Sequence, residues 1–517
     1  MDSALPEDLA EAHALIERLS AQLAEKEEAL AQRDEEIEQL EARLEKLIRR
    51  QFGKSSEKLS EEQLALCFED LETGIAAAKA KAKSTDATLK ALREKPQGVK
   101  RGRLTDNIAR VEIVVDIEHK TCPCCGGELH VIGEDKSERL DTIPAQRRVL
   151  VTRRPRYGCR SCGDAVVQAP APAHIIESGL PTEATLASVL VGKYADHLPL
   201  YRQHQILARE GIEIDRSCLA DWVGRSAFVL KPIASRMLEV LKQSTKLFCD
   251  ETPVPVLDPG RGQTKTGYLW AIARDDRPWC GPDPPGVVYV YAPGRAGKYA
   301  RAALQGFQGV LQVDGYTGYD ALTDERRLEE PLNLAYCWSH WRRDFFDLAK
   351  TGTASISAEA VRRIADLYRI EAGIRGQSAA ARRAARQADT KPLVDDLFTW
   401  LQKKLLVVSQ KGKIADIIRY GLKRRDGLTR FLDDGTIEMD NNVVERSIRP
   451  ITLNRKNALF AGSDEGGAAW GIIASLIETS KLNKVEPNRY LTDVLTKIAQ
   501  GWPNSKLDEL LPWAYVV

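Results

Sequence analysis

A pair of acidic residues, each following a strand-like run of apolar residues, constrains the fold of this 517-residue chain most strongly. The run 246–249 leads into Asp250, and the run 309–313 leads into Asp314. Further strand-like runs and a short helical pattern lie between the two acids, at 267–273, 287–291 and 297–304. The sequence therefore predicts the order strand, strand, strand, helix, strand, with an acid at the end of its first and last strands.

The position of these acids predicts a cation site. A carboxylate at the end of a buried strand is costly unless it is paired or binds a cation. If the two strands are neighbours, Asp250 and Asp314 can share hard cations, because magnesium prefers one or two carboxylates together with phosphates and waters. Glu251 and Asp320 can serve as accessory acids, and we expect neither to be an essential ligand.

A third acid lies on a predicted helix further along the chain. Asn441 or Asn442 can cap this helix and Pro450 is expected to end it, which places Glu445 near its beginning. Glu445 can complete the cation site, although a salt-bridged surface helix is the alternative. Basic residues close by in the sequence suit a phosphodiester backbone: Arg446, Arg449, Arg455 and Lys456.

Two CxxC pairs, each followed by a glycine, have the spacing of a zinc site. Their cysteines are Cys122, Cys125, Cys159 and Cys162. Strand-like stretches at 140–143 and 147–152 can form a hairpin between the pairs. Surface thiols or a redox pair are the alternative, which is disfavoured because two pairs would have to arise together. Ten cysteines in the whole chain are too few for a disulfide scaffold, which indicates a reducing compartment.

The second half of this cysteine module is strongly basic. Between residues 146 and 160 there are six arginines and no acid, and Arg153 and Arg154 are among the six. Such a stretch can contact DNA phosphates, or it can partly neutralise the charge of the cysteine thiolates.

The N-terminal segment has a heptad pattern. Apolar residues recur every seven positions, without an intervening glycine or proline, at Leu9, Ile16, Leu23, Leu30, Ile37 and Leu44. The pattern predicts a coiled coil, and hence a homodimer or a higher oligomer. A single amphipathic helix packed on its own protein is the alternative.

A pair of helices separated by Gly211 is predicted before the strands. The first helix covers about 200–210, and Ser217 can cap the second. This arrangement matches a helix-turn-helix, although ordinary helix packing produces it more often. We expect apolar residues of the second helix to be buried in the core, namely Leu219, Trp222 and Val223.

The charge of the chain is nearly balanced but unevenly distributed. There are 75 Lys and Arg against 74 Asp and Glu, which gives a net charge of +1. Residues 1–50 contain 14 acids against 7 bases, whereas 359–430 contain 17 bases against 8 acids. A basic surface for nucleic acid is therefore compatible with the neutral total. No run of about 18 apolar residues is present, so we expect no membrane partner and a cytoplasmic location.

Several long motifs in a fixed order resemble the transposases of the insertion-sequence-66 type. They are RRQFGKSSEKL, CPCCGGEL with RYGCRSCG, KLFCDETPVPVLDPG, LQVDGYTGYDAL, AYCWSHWRRDF, and DNNVVERSIRP with RKNALFAGSDEGG. The resemblance covers nearly the whole chain. It implies membership of the larger DDE group, whose catalytic domain has a ribonuclease-H-like fold. By this resemblance Asp250, Asp314 and Glu445 are the catalytic acids and the ligands of two Mg²⁺ or Mn²⁺ ions.

The resemblance also implies a multidomain α/β architecture. The expected parts are a coiled coil (1–60), a linker (61–107), a zinc-ribbon-like module (108–170), a helical DNA-binding region (180–243), a ribonuclease-H-like catalytic domain (244–460) and a C-terminal helical region (461–517). A helical insertion at about 345–430 is expected within the catalytic domain, because Glu445 follows Asp314 by 131 residues.

The implied activity is metal-dependent cleavage of DNA strands and joining of their 3′ ends to target DNA. The implied partners are double-stranded DNA, both transposon ends and target, and accessory transposition proteins; Zn²⁺ is the implied structural ion. The alternatives are a catalytically inactive DNA-binding regulator and a ribonuclease-H-like nuclease without strand transfer. His340 can orient a phosphate or a catalytic water, or it can be structural.

Overall fold

The computed structural model describes residues 147–158, 166–177, 179–258, 263–323, 332–350 and 355–515. The chain separates into two compact units, 1–150 and 151–517, and every element below belongs to the second unit. Several predicted features lie outside the described residues, namely the coiled coil (1–60), the linker (61–107), the strand at 140–143 and the cysteines of both CxxC pairs.

A short hairpin is the described part of the predicted zinc module. Strand β1 (Arg156–Gly158) pairs antiparallel with β2 (Val166–Gln168), one on each side of the second CxxC pair. The prediction of a strand at 147–152 is wrong, because these residues have no regular secondary structure. No apolar burial stabilises a strand there, since its large apolar side chains are exposed: Val149, Leu150 and Val151.

The next elements are the helices α1 (Glu183–Tyr194), α2 (Leu200–Arg209) and α3 (Arg216–Leu241). Gly211 separates α2 from α3 and has a φ of +79°, which glycine adopts without strain. The predicted pair of helices is therefore present. The apolar residues expected in its core are buried, namely Leu219, Trp222 and Val223.

Helix α3 begins earlier than the sequence suggested. The prediction of Ser217 as the cap is wrong, because the extended residue before the helix is Asp215. With 26 residues α3 is about 39 Å long. Neither α3 nor any other helix of the described residues is long and apolar enough to cross a membrane.

The main sheet contains β3 (Lys246–Asp258), β4 (Gln263–Arg274), β5 (Gly286–Ala292), β6 (Val310–Val313) and β7 (Asn333–Tyr336), with helix α4 (Gly297–Ala303) between β5 and β6. The spatial order is β5, β4, β3, β6, β7. The first three strands pair antiparallel, whereas β6 and β7 run parallel to β3. The predicted order strand, strand, strand, helix, strand is confirmed.

The prediction that Asp250 lies at the end of its strand is wrong. Strand β3 continues to Asp258 because its antiparallel partner β4 pairs with it along the whole distance. The parallel partner β6 pairs with β3 only from Lys246 to Phe248. Asp250 therefore lies where β3 and β6 separate, whereas Asp314 directly follows β6 as predicted.

After β7 the chain forms a group of helices with an apolar core of its own. They are α5 (Trp338–Ala349), α6 (Ser355–Ile374), α7 (Ala379–Ala385), α8 (Lys391–Val407), α9 (Lys413–Lys423) and α10 (Arg425–Asp433). The rings of Trp338, Trp341 and Phe398 are fully buried there, with centroids 5.3 to 6.2 Å apart. Both indole NH groups donate to main-chain carbonyls, of Leu428 at 2.7 Å and of Ile417 at 2.9 Å. The predicted helical character of this region is confirmed.

The chain ends with α11 (Asn442–Ala458), α12 (Asp464–Leu482) and α13 (Pro487–Ala499). Helix α12 packs on β5, the edge strand of the sheet. The main-chain NH of Val287 donates to Thr479 Oγ1 at 3.0 Å, and that of Tyr289 donates to Ser475 Oγ at 2.9 Å. These hydroxyls satisfy main-chain donors that an edge strand otherwise leaves unpaired.

The prediction that α11 ends at Pro450 is wrong, because the helix continues to Ala458. A proline inside a helix removes one main-chain hydrogen bond and normally disfavours continuation. Here Val444, Ile448 and Ile451 are buried in the main core, so apolar packing holds the helix on both sides of the proline.

We expect Gly421→Ala to destabilise the protein by about 1–3 kcal/mol, because the added Cβ would overlap the indole of Trp341 in the helical core. Gly224→Ala is the matched control, since Gly224 is exposed within α3 and nothing lies within 4 Å of an added methyl group. The control should gain up to about 1 kcal/mol from the helix propensity of alanine. Denaturant unfolding measures both changes, and equal stability of the two variants would contradict this description of the core.

Candidate active site

The register of two parallel strands brings Asp250 and Asp314 together. Phe248 of β3 is paired with Gln312 of β6, and each acid comes two residues after its member of that pair. Side chains two residues apart in an extended chain point to the same face. The two acids therefore lie side by side at the point where β3 and β6 separate.

The charges that act on Asp250 indicate that the other acids lie near it. Burial raises the pKa of Asp250 well above its usual range, and the charges of Asp314, Glu251 and Glu445 raise it further. The main-chain NH of Glu251 opposes this rise by donating to Asp250 Oδ1 at 2.8 Å. Carboxylates so close together repel one another unless they share a proton or bind a cation.

Buried amide side chains attach the start of α11 to β3 and β6. Asn441, directly before the helix, donates from Nδ2 to the carbonyl of Cys249 at 3.3 Å. Gln312 donates from Nε2 to the carbonyl of Glu438 at 2.8 Å and accepts the NH of the same residue at 2.9 Å. Because Glu445 lies in the first turn of α11, these contacts fix its position relative to Asp250.

Glu445 also lies beside two residues at the start of α5. Oε1 of Glu445 is 3.6 Å from Nδ1 of His340. One potential ligand atom from each of Cys337, His340 and Glu445 lies within 4.8 Å of the other two. Cys337 is the residue immediately before α5, and its sulfur accepts the main-chain NH of Asn441 at 3.2 Å. The structure thus places His340 within the site, where the sequence had left its role open.

Glu251 is engaged by other side chains. Its Oε1 accepts a hydrogen bond from Arg295 at 2.6 Å, and its Oε2 accepts one from Tyr319 at 2.8 Å. The guanidinium of Arg295 in turn lies 3.8 Å from the ring centroid of Tyr316. Both carboxylate oxygens are occupied, which supports the expectation that Glu251 is no essential ligand. Asp320, the other accessory acid, is exposed.

The basic residues predicted to contact DNA after Glu445 all lie on α11. Arg446 and Lys456 are exposed, and Arg449 is partly exposed. Arg455 donates from Nη1 to the carbonyl of Pro253 at 2.6 Å, so it ties α11 to β3. The helix that carries the third acid therefore also presents cations.

The two arginines predicted to contact DNA from the cysteine module directly precede β1. Arg153 is exposed. Arg154 donates from Nε to the carbonyl of Ala169 at 2.9 Å, and its own carbonyl accepts a bond from Gln168 at 2.8 Å. Arg154 thus helps to close the hairpin, while Arg153 is available for a partner.

Several residues that organise the site were not identified from the sequence. Gln312 could have been found, because it is a polar residue within an otherwise apolar strand. Cys337 could also have been found, because it precedes His340 with the spacing of a metal-binding pair. The sequence showed no such pattern for Arg295 or Tyr319, which reach Glu251 only through the folding of separate segments.

The described part of the chain is a mixed α/β protein in which β3, the end of β6 and the first turn of α11 assemble a cluster of carboxylates. A family model described as "Transposase IS66 family" matches residues 178–469, and one described as "IS66 C-terminal element" matches 475–513. The first match covers more than half of the chain. The chain belongs to the IS66 transposase family.

Two further family models match the N-terminal part of the chain. A "zinc-finger binding domain of transposase IS66" matches residues 119–163, which include both CxxC pairs. A model described as "Transposase C of IS166 homeodomain" matches residues 39–113. The chain thus contains, besides its α/β part, a zinc-finger domain and an N-terminal domain of this family.

Related proteins from Sinorhizobium fredii match over most of their length. The protein y4qI is 45% identical over 481 residues, which are 91% of this chain and 88% of the relative. The protein y4jD is 45% identical over 415 residues, or 80% of this chain and 81% of the relative. The protein y4hP is 36% identical over 493 residues, or 92% and 88% respectively.

We expect Asp250→Asn to raise the melting temperature in metal-free buffer, and by more at pH 8 than at pH 5. The pKa of Asp250 is raised in the folded protein. Its contribution to stability is therefore present below the pKa of the unfolded carboxyl, about 3.9, and is lost as the pH rises through the folded value. Asparagine carries no charge at any of these pH values, so the variant does not lose stability through ionisation at this position.

Scanning calorimetry with a chelator present measures this difference across the pH range. Asp320→Asn is the control, because it removes a charge from an exposed side chain of the same sheet region. A melting temperature of Asp250→Asn that is no higher than that of the parent at pH 8 would contradict the burial and repulsion described above.

Proposed function

We propose that this chain is a DNA transposase that binds the ends of an insertion sequence, cleaves DNA strands and joins the 3′ ends to target DNA. The observation that carries the proposal is the carboxylate cluster of Asp250, Asp314 and Glu445. Membership of the IS66 transposase family supports the reaction class. The proposed chemistry is phosphoryl transfer with water and then a DNA 3′ hydroxyl as nucleophile, so no covalent protein nucleophile is required.

The cluster fits divalent cations by its own chemistry. Burial and neighbouring charges disfavour the ionised form of Asp250, and a cation would reverse both effects. Glu445 Oε1 is buried and has no hydrogen-bond partner among the described residues. Two Mg²⁺ or Mn²⁺ ions held by Asp250, Asp314 and Glu445 would supply charge stabilisation at the attacking and leaving oxygens of an in-line displacement.

The residues around the cluster have positioning roles in this proposal. Main-chain NH groups orient Asp250 and Asp314, each donating to one carboxylate oxygen at 2.8 Å. Asn441 and Gln312 hold the start of α11, and therefore Glu445, against the sheet. The exposed cations of α11 are available to bind the phosphodiester backbone beside the acids.

We also propose that the sheet is ribonuclease-H-like. Its support is the arrangement of three antiparallel strands followed by two parallel ones, with acids on β3, directly after β6 and on a later helix. The proposed catalytic domain is 244–460 with its helical insertion at about 345–430, preceded by the helical DNA-binding region 180–243 and followed by the helical region 461–517.

The N-terminal parts have supporting roles in the proposal. Zn²⁺ held by Cys122, Cys125, Cys159 and Cys162 would stabilise the zinc module, which the match to a zinc-finger domain supports. Arg153, which is exposed within that module, would contact the DNA backbone together with Arg154. The heptad segment 1–60 would join copies of the chain into a homodimer or a higher oligomer, as the synapsis of two DNA ends requires.

We expect Asp250→Asn, Asp314→Asn and Glu445→Gln each to lower magnesium-dependent cleavage and joining of labelled end DNA by about 10³-fold or more. The loss of a ligand should remove several kcal/mol of transition-state stabilisation. Binding of the same DNA, followed by gel shift, should remain measurable, because the acids themselves repel phosphate. Asp320→Asn is the matched control and should retain activity.

The products of this reaction also separate the alternative functions. Cleavage by the parent protein without joined products would indicate a nuclease without strand transfer. DNA binding without cleavage would indicate a regulator. An Asp314→Asn protein that joined ends at the parental rate would show that the acids are not the catalytic ligands.

We expect Cys122→Ser or Cys159→Ser to lose one zinc ion per chain and to weaken DNA binding, because three ligands hold a structural ion less tightly and misplace the basic stretch beside it. Elemental analysis of purified protein measures the zinc content. Cys218→Ser changes an exposed cysteine of α3 and should retain the parental content. Equal zinc content in all variants would refute the zinc module.

A further inference from the structure

We propose that Cys337, His340 and Glu445 form a second binding site for an ion of the zinc class, which shares Glu445 with the carboxylate cluster. The potential ligand atoms of the three side chains lie within 4.8 Å of one another. One of them belongs to the proposed magnesium ligands, and the other two do not. An ion bound here would therefore compete with magnesium for a single carboxylate.

The distance between the ligand atoms matches a tetrahedral ion. Nδ1 of His340 and Oε1 of Glu445 are 3.6 Å apart. Two ligands at bond lengths of about 2.0–2.2 Å and a tetrahedral angle would lie about 3.4 Å apart. A direct charge-assisted hydrogen bond would instead bring the atoms to about 2.7–2.9 Å. The observed spacing therefore fits an intervening ion better than a direct hydrogen bond.

The same two atoms have no hydrogen-bond partner in the part of the chain that the structure describes. His340 Nδ1 and Glu445 Oε1 are buried atoms without a hydrogen bond among the described residues. A buried polar atom left unpaired costs about 1–3 kcal/mol. An ion between them would satisfy both, and the side chains as a whole are 27% and 29% exposed, so solvent can reach the site.

The ligands are held by rigid elements. Cys337 and His340 occupy the start of α5, and Glu445 lies in the first turn of α11. The NH of Trp338 donates to the carbonyl of Met439 at 3.1 Å, which joins the start of α5 to the segment before α11. The NH of Asn441 donates to the sulfur of Cys337 at 3.2 Å. The two helix starts thus form a single framework.

The donor set selects the class of ion. A thiolate, an imidazole and a carboxylate together suit zinc, whereas magnesium prefers oxygen ligands alone. Binding would release the thiol proton of Cys337 to solvent. Asp250 and Asp314 provide the oxygen ligands of the cluster, and Glu445 is the carboxylate that both kinds of ion can use.

The binding site rests on the geometry alone, whereas its effect on catalysis rests on the proposed transposase function. Zinc bound by Cys337 and His340 would remove Glu445 from the magnesium ligands. Zinc would then inhibit magnesium-dependent DNA cleavage at concentrations far below that of magnesium. The enzyme would be active only where free zinc is scarce.

Titration of the full-length protein with Co²⁺ tests the binding site directly, because a cobalt–thiolate bond absorbs in the near ultraviolet. With the zinc module already loaded with zinc, the parent should bind one Co²⁺ per chain through a thiolate, which the single-thiolate band distinguishes from Co²⁺ bound by the carboxylates alone. We expect Cys337→Ser to lose the band. His340→Gln should bind Co²⁺ more than about 100-fold more weakly. A loss of affinity of this size exceeds the loss expected when only an outer-shell partner of a ligand is removed.

Cys218→Ser, at an exposed cysteine, is the matched control and should retain the parental titration. His340→Gln keeps the proposal testable if Cys337→Ser fails to fold, because His340 is partly exposed. An unchanged cobalt titration in either variant, with a parental melting curve, would overturn the site.

A second arm measures zinc inhibition of DNA cleavage, with each variant compared with its own zinc-free rate. The zinc concentration for half inhibition should rise at least about tenfold in His340→Gln. If cobalt binding is lost but zinc inhibits the variant as strongly as the parent, the link to catalysis is overturned. If the parent does not cleave DNA at all, the proposed function fails, and the cobalt titration still decides the site.

Discussion

The side-chain amide of Gln312 is the contact on which the site most depends. It is buried in β6, where it both donates to and accepts from the main chain of Glu438. A buried amide that lost these partners would carry a large desolvation penalty, so the segment before α11 is fixed against the sheet. The same strand sets the register with β3 that brings Asp250 beside Asp314. One short strand therefore positions all three acids, although they lie far apart in the sequence.

The helical insertion reinforces this arrangement from the other side. Arg382 is almost fully buried and forms an ion pair with Glu438 at 2.8 Å, while Arg386 binds Glu371 through two hydrogen bonds of 2.7 and 2.8 Å. Such buried pairs add little net stability, but loss of one member leaves an uncompensated charge. Because Glu438 is the residue that Gln312 also holds, the insertion and the sheet act on the same short segment. Part of the basic surplus of 359–430 is thus buried in ion pairs inside the fold, and only its exposed part is available to the proposed DNA partner.

Much of the fold was predictable because the apolar runs of the sheet have a clear period and length. The order from β3 to β6 and the helical character after β7 followed from it. The errors came where tertiary contacts override local preference: β4 extends β3 past Asp250, and core packing carries α11 through Pro450. The three acids were singled out by position and by resemblance, whereas the contacts of Arg295 and Tyr319 with Glu251 depend on distant segments and left no local pattern. The spacing of Cys337 and His340 could have been recognised in the sequence, but only the structure shows that Glu445 lies beside them.

Asp250, Asp314 and Glu445 are proposed to bind the same divalent ions. Crystals of the protein grown or soaked with Mn²⁺ and measured at the manganese absorption edge test it most directly, since anomalous scattering locates the ion independently of any functional assay. We expect anomalous peaks in contact with carboxylate oxygens of Asp250 and Asp314, with Glu445 as the third ligand. Manganese bound elsewhere, or the three carboxylates free of manganese at saturating concentration, would contradict it.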